Sequence, residues 1–193
     1  PKRSFDVLID INRKMAEGKG RGYERWAKTY NVKQVSRALL FLQEKGIRDY
    51  DSIETKVKET TGRFNEISAQ IKEKEKRLAE IAVMKTHIIN YVKTKDVYVA
   101  YRKAGYSKKY FEAHREEILL HKAAKKAFAD LHMDKIPKVK DLSAEYAKIL
   151  GEKKDLYEEY RSAKKEMQDF ALARQDIDQF LKIDEQQQKH KKE

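Results

Sequence analysis

The chain is predicted to be all-α: a long antiparallel two-helix coiled coil, with a short helix at its tip and a small N-terminal helical subdomain. Three observations predict this. Of 193 residues only 7 are Gly and 2 are Pro, so chain breakers are scarce and regular elements must be long. Charged residues make up 39% and hydrophobic residues 40%, a balance that suits helices with one apolar stripe and wide solvated faces. Two long stretches repeat apolar residues at alternating spacings of four and three, and no strand pattern runs for more than a few residues. The predicted boundary falls near 50. Residues 1–50 form the subdomain, and residues 51–193 form the arm, with its tip at about 105–137.

Within the subdomain one helix is expected from Phe5 to Met15, then a GKGRG loop, then a short helix from Tyr23 to Tyr30. Asn31 can cap a further helix from Val32 to Lys45, which Gly46 ends. Val35, Ala38, Leu39 and Leu42 give that helix an apolar face.

From Asp51 to Ala104 the chain has no Pro and a single Gly, Gly62. Ile53, Val57, Phe64, Ile67, Ile71, Leu78, Ile81, Ile88, Val92 and Val99 fall on one heptad seam. Thr60, Lys74, Lys85, Lys95 and Arg102 interrupt it, and polar seam positions fix register at some cost in stability. A second seam follows Pro137, with Asp141 or Ser143 available as cap. It reads Leu142, Tyr146, Ile149, Leu156, Tyr160, Ala163, Met167, Phe170, Ile177 and Leu181, broken by Lys153 and Arg174. Two narrow seams of similar length, joined by a shorter segment, should pair antiparallel within one chain.

Gly105 should stop the first long helix, and Ser107 should cap a shorter one running from Lys108 to about Leu131. Phe111, Ile118, Leu119, Ala123, Phe128 and Leu131 are its expected packing positions. The polar tail KIDEQQQKHKKE is expected to fray.

Composition also excludes several classes. With no Cys there is no disulfide framework and no thiolate chemistry. No apolar run reaches the roughly 18 to 20 residues of a membrane span, and PKRSFDVLIDIN lacks the apolar core of a signal peptide, so a cytoplasmic setting is expected. A start at Pro1 suggests a piece of a longer protein.

The net charge of +12 is uneven. Residues 1–50 carry 12 Lys/Arg against 6 Asp/Glu, 51–104 carry 12 against 8, 105–140 carry 9 against 5, and 141–193 carry 11 against 13. An anionic partner should therefore meet the first three quarters of the chain.

The candidate binding residues lie in that basic part. YVKTKDVYVAYRKAGYSKKY interleaves Tyr98, Tyr101 and Tyr106 with Lys93, Lys95, Arg102, Lys103, Lys108 and Lys109, and Tyr91 and Tyr110 bracket the cluster. Alternating rings and cations can stack on bases and neutralise phosphates. The same rings can instead pack a three-helix tip while the lysines stay solvated. A second cluster, GKGRGYERWAKTYNVKQ, offers Lys19, Arg21, Arg25, Trp26 and Lys28, without Walker spacing or a preceding strand.

His114, Glu117 and His121 share a helical face, but no matching set faces them, so a solvated, partly packed face is expected and no metal or cofactor. Carboxylate pairs lie in charged runs such as EKEKR and DLYEEYR, which read as coiled-coil flanks. No Tyr has the base or metal it would need to attack phosphorus, so no catalytic residue is predicted.

Three long stretches also carry a family resemblance. DVLIDINRKMAEGKGRGYERWAKTYNVKQVSRALLFLQEKGI, the run from Arg63 to Leu131, and KIPKVKDLSAEYAKILGEKKDLYEEYRSAKKEM resemble the carboxy-terminal half of relaxases, the mobilisation nucleases of conjugative transposons in Gram-positive gut bacteria. YERWAK near Trp26 and YRKAGYS around Gly105 are the most specific parts.

The resemblance implies a DNA-binding, non-catalytic helical arm that assists conjugation in the bacterial cytoplasm. Its implied partners are transfer-origin DNA, an N-terminal relaxase domain, and coupling or accessory transfer proteins. The nucleophilic Tyr and metal-binding His cluster of that family belong to its amino-terminal domain, and neither motif maps onto a residue here. The alternative is a coiled-coil protein-interaction scaffold with no DNA contact.

Overall fold

The computed structural model describes residues 32–190. The helices expected at 5–15 and 23–30, and the candidates Lys19, Arg21, Arg25, Trp26 and Lys28, lie outside the described residues. Among the described residues the protein is all-α, with five helices: α1 Val32–Glu44, α2 Tyr50–Lys103, α3 Lys108–Ala113, α4 Arg115–Asp130 and α5 Val139–His190. No helix among them is long and apolar enough to cross a membrane.

Three of the helix ends share one device. After α1, the Gly46 and Ile47 amides bond back to the carbonyls of Gln43 and Leu42 at 3.0 and 2.9 Å. Gly46 takes the left-handed conformation this closure requires, with φ +71°. The same closure ends α2 at Gly105 and Tyr106, and ends α4 at His132 and Met133. His132 adopts φ +51° without being glycine.

Ser107 caps α3 as expected, its hydroxyl accepting from the Tyr110 amide at 3.4 Å. The single helix expected from Lys108 is two, parted at His114. At the start of α5 the Leu142 amide bonds the Lys138 carbonyl at 3.1 Å. Lys138 thus precedes the first helical residue, and Asp141 lies inside the first turn, where its charge suits the helix dipole. The backbone stays helical through His190, beyond the expected fraying point; Glu, Gln and Lys are good helix formers and neither Gly nor Pro interrupts them.

The chain divides into two compact units. The first comprises residues 1–68 and 158–193, and the second residues 69–157. The core of the first unit joins Val35, Ala38, Leu39 and Leu42 of α1 to Ile53 of α2 and to Phe170, Ala173, Ile177 and Phe180 of α5. Phe41 meets Phe170 edge-on at 5.0 Å, and Phe64 lies 5.0 Å from Tyr160. Tyr50 donates a hydrogen bond to Asp178, and burial followed by that carboxylate raises its phenol pKa.

The core of the second unit joins Leu78, Ile81 and Ile88 of α2 to Ala124 and Phe128 of α4 and to Leu142 and Ile149 of α5. Arg77 grips Glu145 with two parallel bonds of 2.8 and 3.1 Å, and Lys74 reaches Glu152 at 2.6 Å. Glu75 takes Lys153 at 3.2 Å and the Tyr157 hydroxyl at 3.1 Å. As numbers rise along α2 its partners on α5 fall, so the two segments run antiparallel within each unit.

Two departures from the expected seams matter for function. Val92, a seam position, is 67% exposed. Within the second unit Arg77 lies opposite Glu145, and α5 begins only six residues earlier, at Val139. The α2 face beyond Ile88 therefore outlasts its α5 partner. In the first unit, Ala173, Asp176 and Phe180 are buried although none lies on the α5 seam, because α1 covers that second face.

Candidate nucleic-acid interface

Most of the predicted tyrosines are used against one another. Tyr101 is buried at the end of α2, with Tyr106 edge-on at 5.3 Å, Tyr110 stacked at 6.2 Å and Phe111 at 6.0 Å. Tyr98 is half-buried and meets Tyr101 edge-on at 6.2 Å. Of the predicted rings among the described residues, only Tyr106 presents most of its surface, at 56% exposure. It occupies a left-handed position, φ +58°, directly after Gly105.

The centre of this cluster is His121, which is 3% exposed. Its ring is sandwiched between Tyr91 and Tyr98, at centroid distances of 4.6 and 4.4 Å and interplanar angles of 22° and 18°. The Thr94 hydroxyl donates to the Asn90 carbonyl and its oxygen lies 3.0 Å from His121 Nδ1. Burial lowers the His121 pKa and the Lys125 charge adds to this, against a smaller opposing bond to the Tyr91 backbone.

The expected packing face of α4 shifts as a result. Ile118, His121, Ala124 and Phe128 are buried, while Leu119, Ala123 and Leu131 are exposed. A histidine replaces an aliphatic residue because two tyrosine faces receive it. His114 lies tilted against Tyr110 at 4.5 Å and 3.7 Å from Glu117, apart from the His121 sandwich. No group of three metal-ligating side chains occurs among the described residues.

The predicted cations Lys93, Lys95, Arg102, Lys103, Lys108 and Lys109 are all exposed. Lys103, Lys108 and Lys109 flank the Gly105–Tyr106 turn, while Lys93 and Lys95 lie earlier on α2. Two further cations escaped the motif. Lys125 Nζ sits 5.1 Å over the Tyr98 ring, and Lys122 Nζ lies 5.8 Å from Tyr101 and 5.9 Å from Phe111. For Lys125 the available signal was its spacing, four residues after His121 on α4; Lys122, adjacent to His121, carried no such signal.

Across residues 85–140 fourteen Lys/Arg face six Asp/Glu, so this stretch presents a positive field. Such a surface can neutralise phosphates, with Tyr106 available to stack. No family model, curated protein or solved structure matches the chain.

Proposed function

We propose that the chain is the non-catalytic carboxy-terminal helical domain of a conjugative relaxase, assisting DNA processing and transfer by binding DNA. Nicking belongs to the amino-terminal relaxase domain of the parent protein, and the setting is the bacterial cytoplasm. The long helices pair through their heptad seams as an antiparallel coiled coil, which carries the basic cluster. The observation supporting the DNA reading is the set of exposed cations around the Gly105–Tyr106 turn. Because the other rings pack internally, binding relies on phosphate contacts more than on base stacking.

Fluorescence anisotropy with single-stranded and duplex transfer-origin DNA tests this. Reversing Lys103, Lys108 and Lys109 to Glu should weaken binding tenfold or more at about 50 mM salt, and flatten the salt slope by roughly three. Wild-type protein that shows no salt-sensitive binding refutes the reading.

The second reading, a scaffold for coupling or accessory transfer proteins, is favoured by Val92 and Ile89, exposed at 67% and 51% on α2. Val92→Glu separates the two. If it abolishes transfer while the lysine reversals leave transfer intact, the scaffold reading prevails.

A further inference from the structure

The carboxyl half of α5 buries a charge for which packing has no use. Asp176 lies on the α5 face covered by α1 and is 6% exposed. Among the described residues nothing hydrogen-bonds its carboxylate. Arg37 of α1 acts on it through its field, with no direct ion pair, and burial outweighs that field to push the carboxyl pKa up. Buried polar groups are nearly always partnered, so an unpartnered one marks a site where something else binds.

The space beside it fits that expectation. A cleft of about 310 Å³ opens between α1 and α5, with Asp176 on its lining. Its apolar lining comes from Ala38, Phe41, Leu172 and Ala173, and its four charged residues differ in exposure. Asp176 is buried, Asp169 is half-buried, and Arg37 and Lys165 are exposed. The volume lies at the low end of the roughly 300 to 1,000 Å³ of ligand pockets, which suits a small metabolite.

A plain alkylamine entering this cleft meets two cations at the mouth. A plain carboxylic acid meets two carboxylates further in. Only a molecule with both charges, cation leading, has every group matched.

We propose that the cleft binds a small amphipathic zwitterion: an ammonium group on a short apolar stem directed at Asp176 and Asp169, with an anionic group turned outward to Arg37 and Lys165. The site lies in the first unit and is independent of the DNA reading.

The test uses the full chain with ¹³C-labelled Asp, titrated with 4-aminobutyrate, O-phosphoethanolamine, n-butylammonium and butyrate. The first two probes distinguish a carboxylate from a phosphate as the outer group. At least one of them should move the Asp176 carboxyl resonance saturably, with Kd of roughly 1 to 10 mM for so few atoms. It should bind at least tenfold tighter than butylammonium or butyrate.

Asp176→Asn, a near-isosteric change whose folding is checked by circular dichroism, should weaken zwitterion binding tenfold or more, read from the Asp169 resonance. Arg37→Gln at the exposed mouth should weaken the zwitterion at least threefold and leave butylammonium no weaker, since it removes one of the two cations that repel it. An Asp176 resonance unmoved by any probe overturns the proposal. So does unchanged affinity in Asp176→Asn, or butyrate binding as tightly as the zwitterions.

Discussion

His121 and Asp176 are both hidden from solvent, at 3% and 6% exposure, one in each compact unit, yet they are held in opposite ways. His121 has the Thr94 hydroxyl beside Nδ1 and an aromatic face on either side. Asp176 has no hydrogen-bond partner among the described residues and feels the Arg37 guanidinium only through its field. A buried polar group with every valence satisfied rigidifies a core, whereas one left unsatisfied weakens it. The first is architecture, and the second needs a reason outside the fold.

Apolar neighbours set the scale for testing this difference. Ile118, one turn before His121, and Ile177, beside Asp176, are fully buried. Truncating either to Ala should cost about 3 to 4 kcal/mol in urea unfolding, as for other tightly packed aliphatic positions. His121→Ala should follow at about 2 to 3 kcal/mol, since it removes two stacked ring contacts and opens a cavity. A loss below about 1 kcal/mol would show that the sandwich contributes little to stability.

Protonation probes both groups, with opposite signs. Burial depresses the His121 pKa, so the unfolded chain takes up its proton first as pH falls below about 6.5. Stability is intact above that pH and declines as pH drops toward the depressed folded value, by at most about 1.4 kcal/mol per pH unit for one proton. Lys125 is the charged group facing the ring, and its field works in the same direction. Chemical denaturation at pH 7.5 and 5.5 should show the decline, and His121→Phe should remove it.

Asp176 behaves in reverse. Its folded pKa is raised, so its contribution is present below the unfolded carboxylate range near 3.9 and is lost as pH rises through the folded value. At neutral pH the ionised, buried carboxylate is a liability. Asp176→Asn should therefore stabilise the protein by about 1 kcal/mol at pH 7, with the gain shrinking toward pH 4.

These two residues also mark where sequence reading stops. Ile53, Ile67, Ile71, Leu78, Ile81, Ile88, Leu142, Ile149, Ala163, Phe170 and Ile177 are buried at their seam positions, and Gly46, Gly105 and Ser107 stand at the predicted helix ends. Periodicity and cap chemistry are local properties, so they can be read from one segment at a time. Ala173, Asp176 and Phe180 form a face defined by α1, more than a hundred residues away in sequence. His121 is read as polar until Tyr91 and Tyr98 are placed beside it. Val92 fails for the opposite reason, since its pattern is apolar but α2 there has run past the start of α5. For the candidate interface, the exposed lysines were legible, while the fate of the tyrosine rings depended on long-range packing.

The smallest predicted effect bears most directly on whether Asp176 is unpartnered. Arg37 is exposed and influences Asp176 only through its field, so Arg37→Gln should destabilise the wild-type protein by about 0.5 kcal/mol at pH 7. In the Asp176→Asn background the same change should have no effect, giving a coupling of about 0.5 kcal/mol in a double-mutant cycle. A direct buried ion pair would instead show a coupling of about 2 kcal/mol or more, because breaking it strands a desolvated charge. A result of that size would mean that Arg37 swings in to satisfy Asp176 in solution, leaving no unmatched carboxylate for a ligand. The small coupling keeps the acid free and the zwitterion site open.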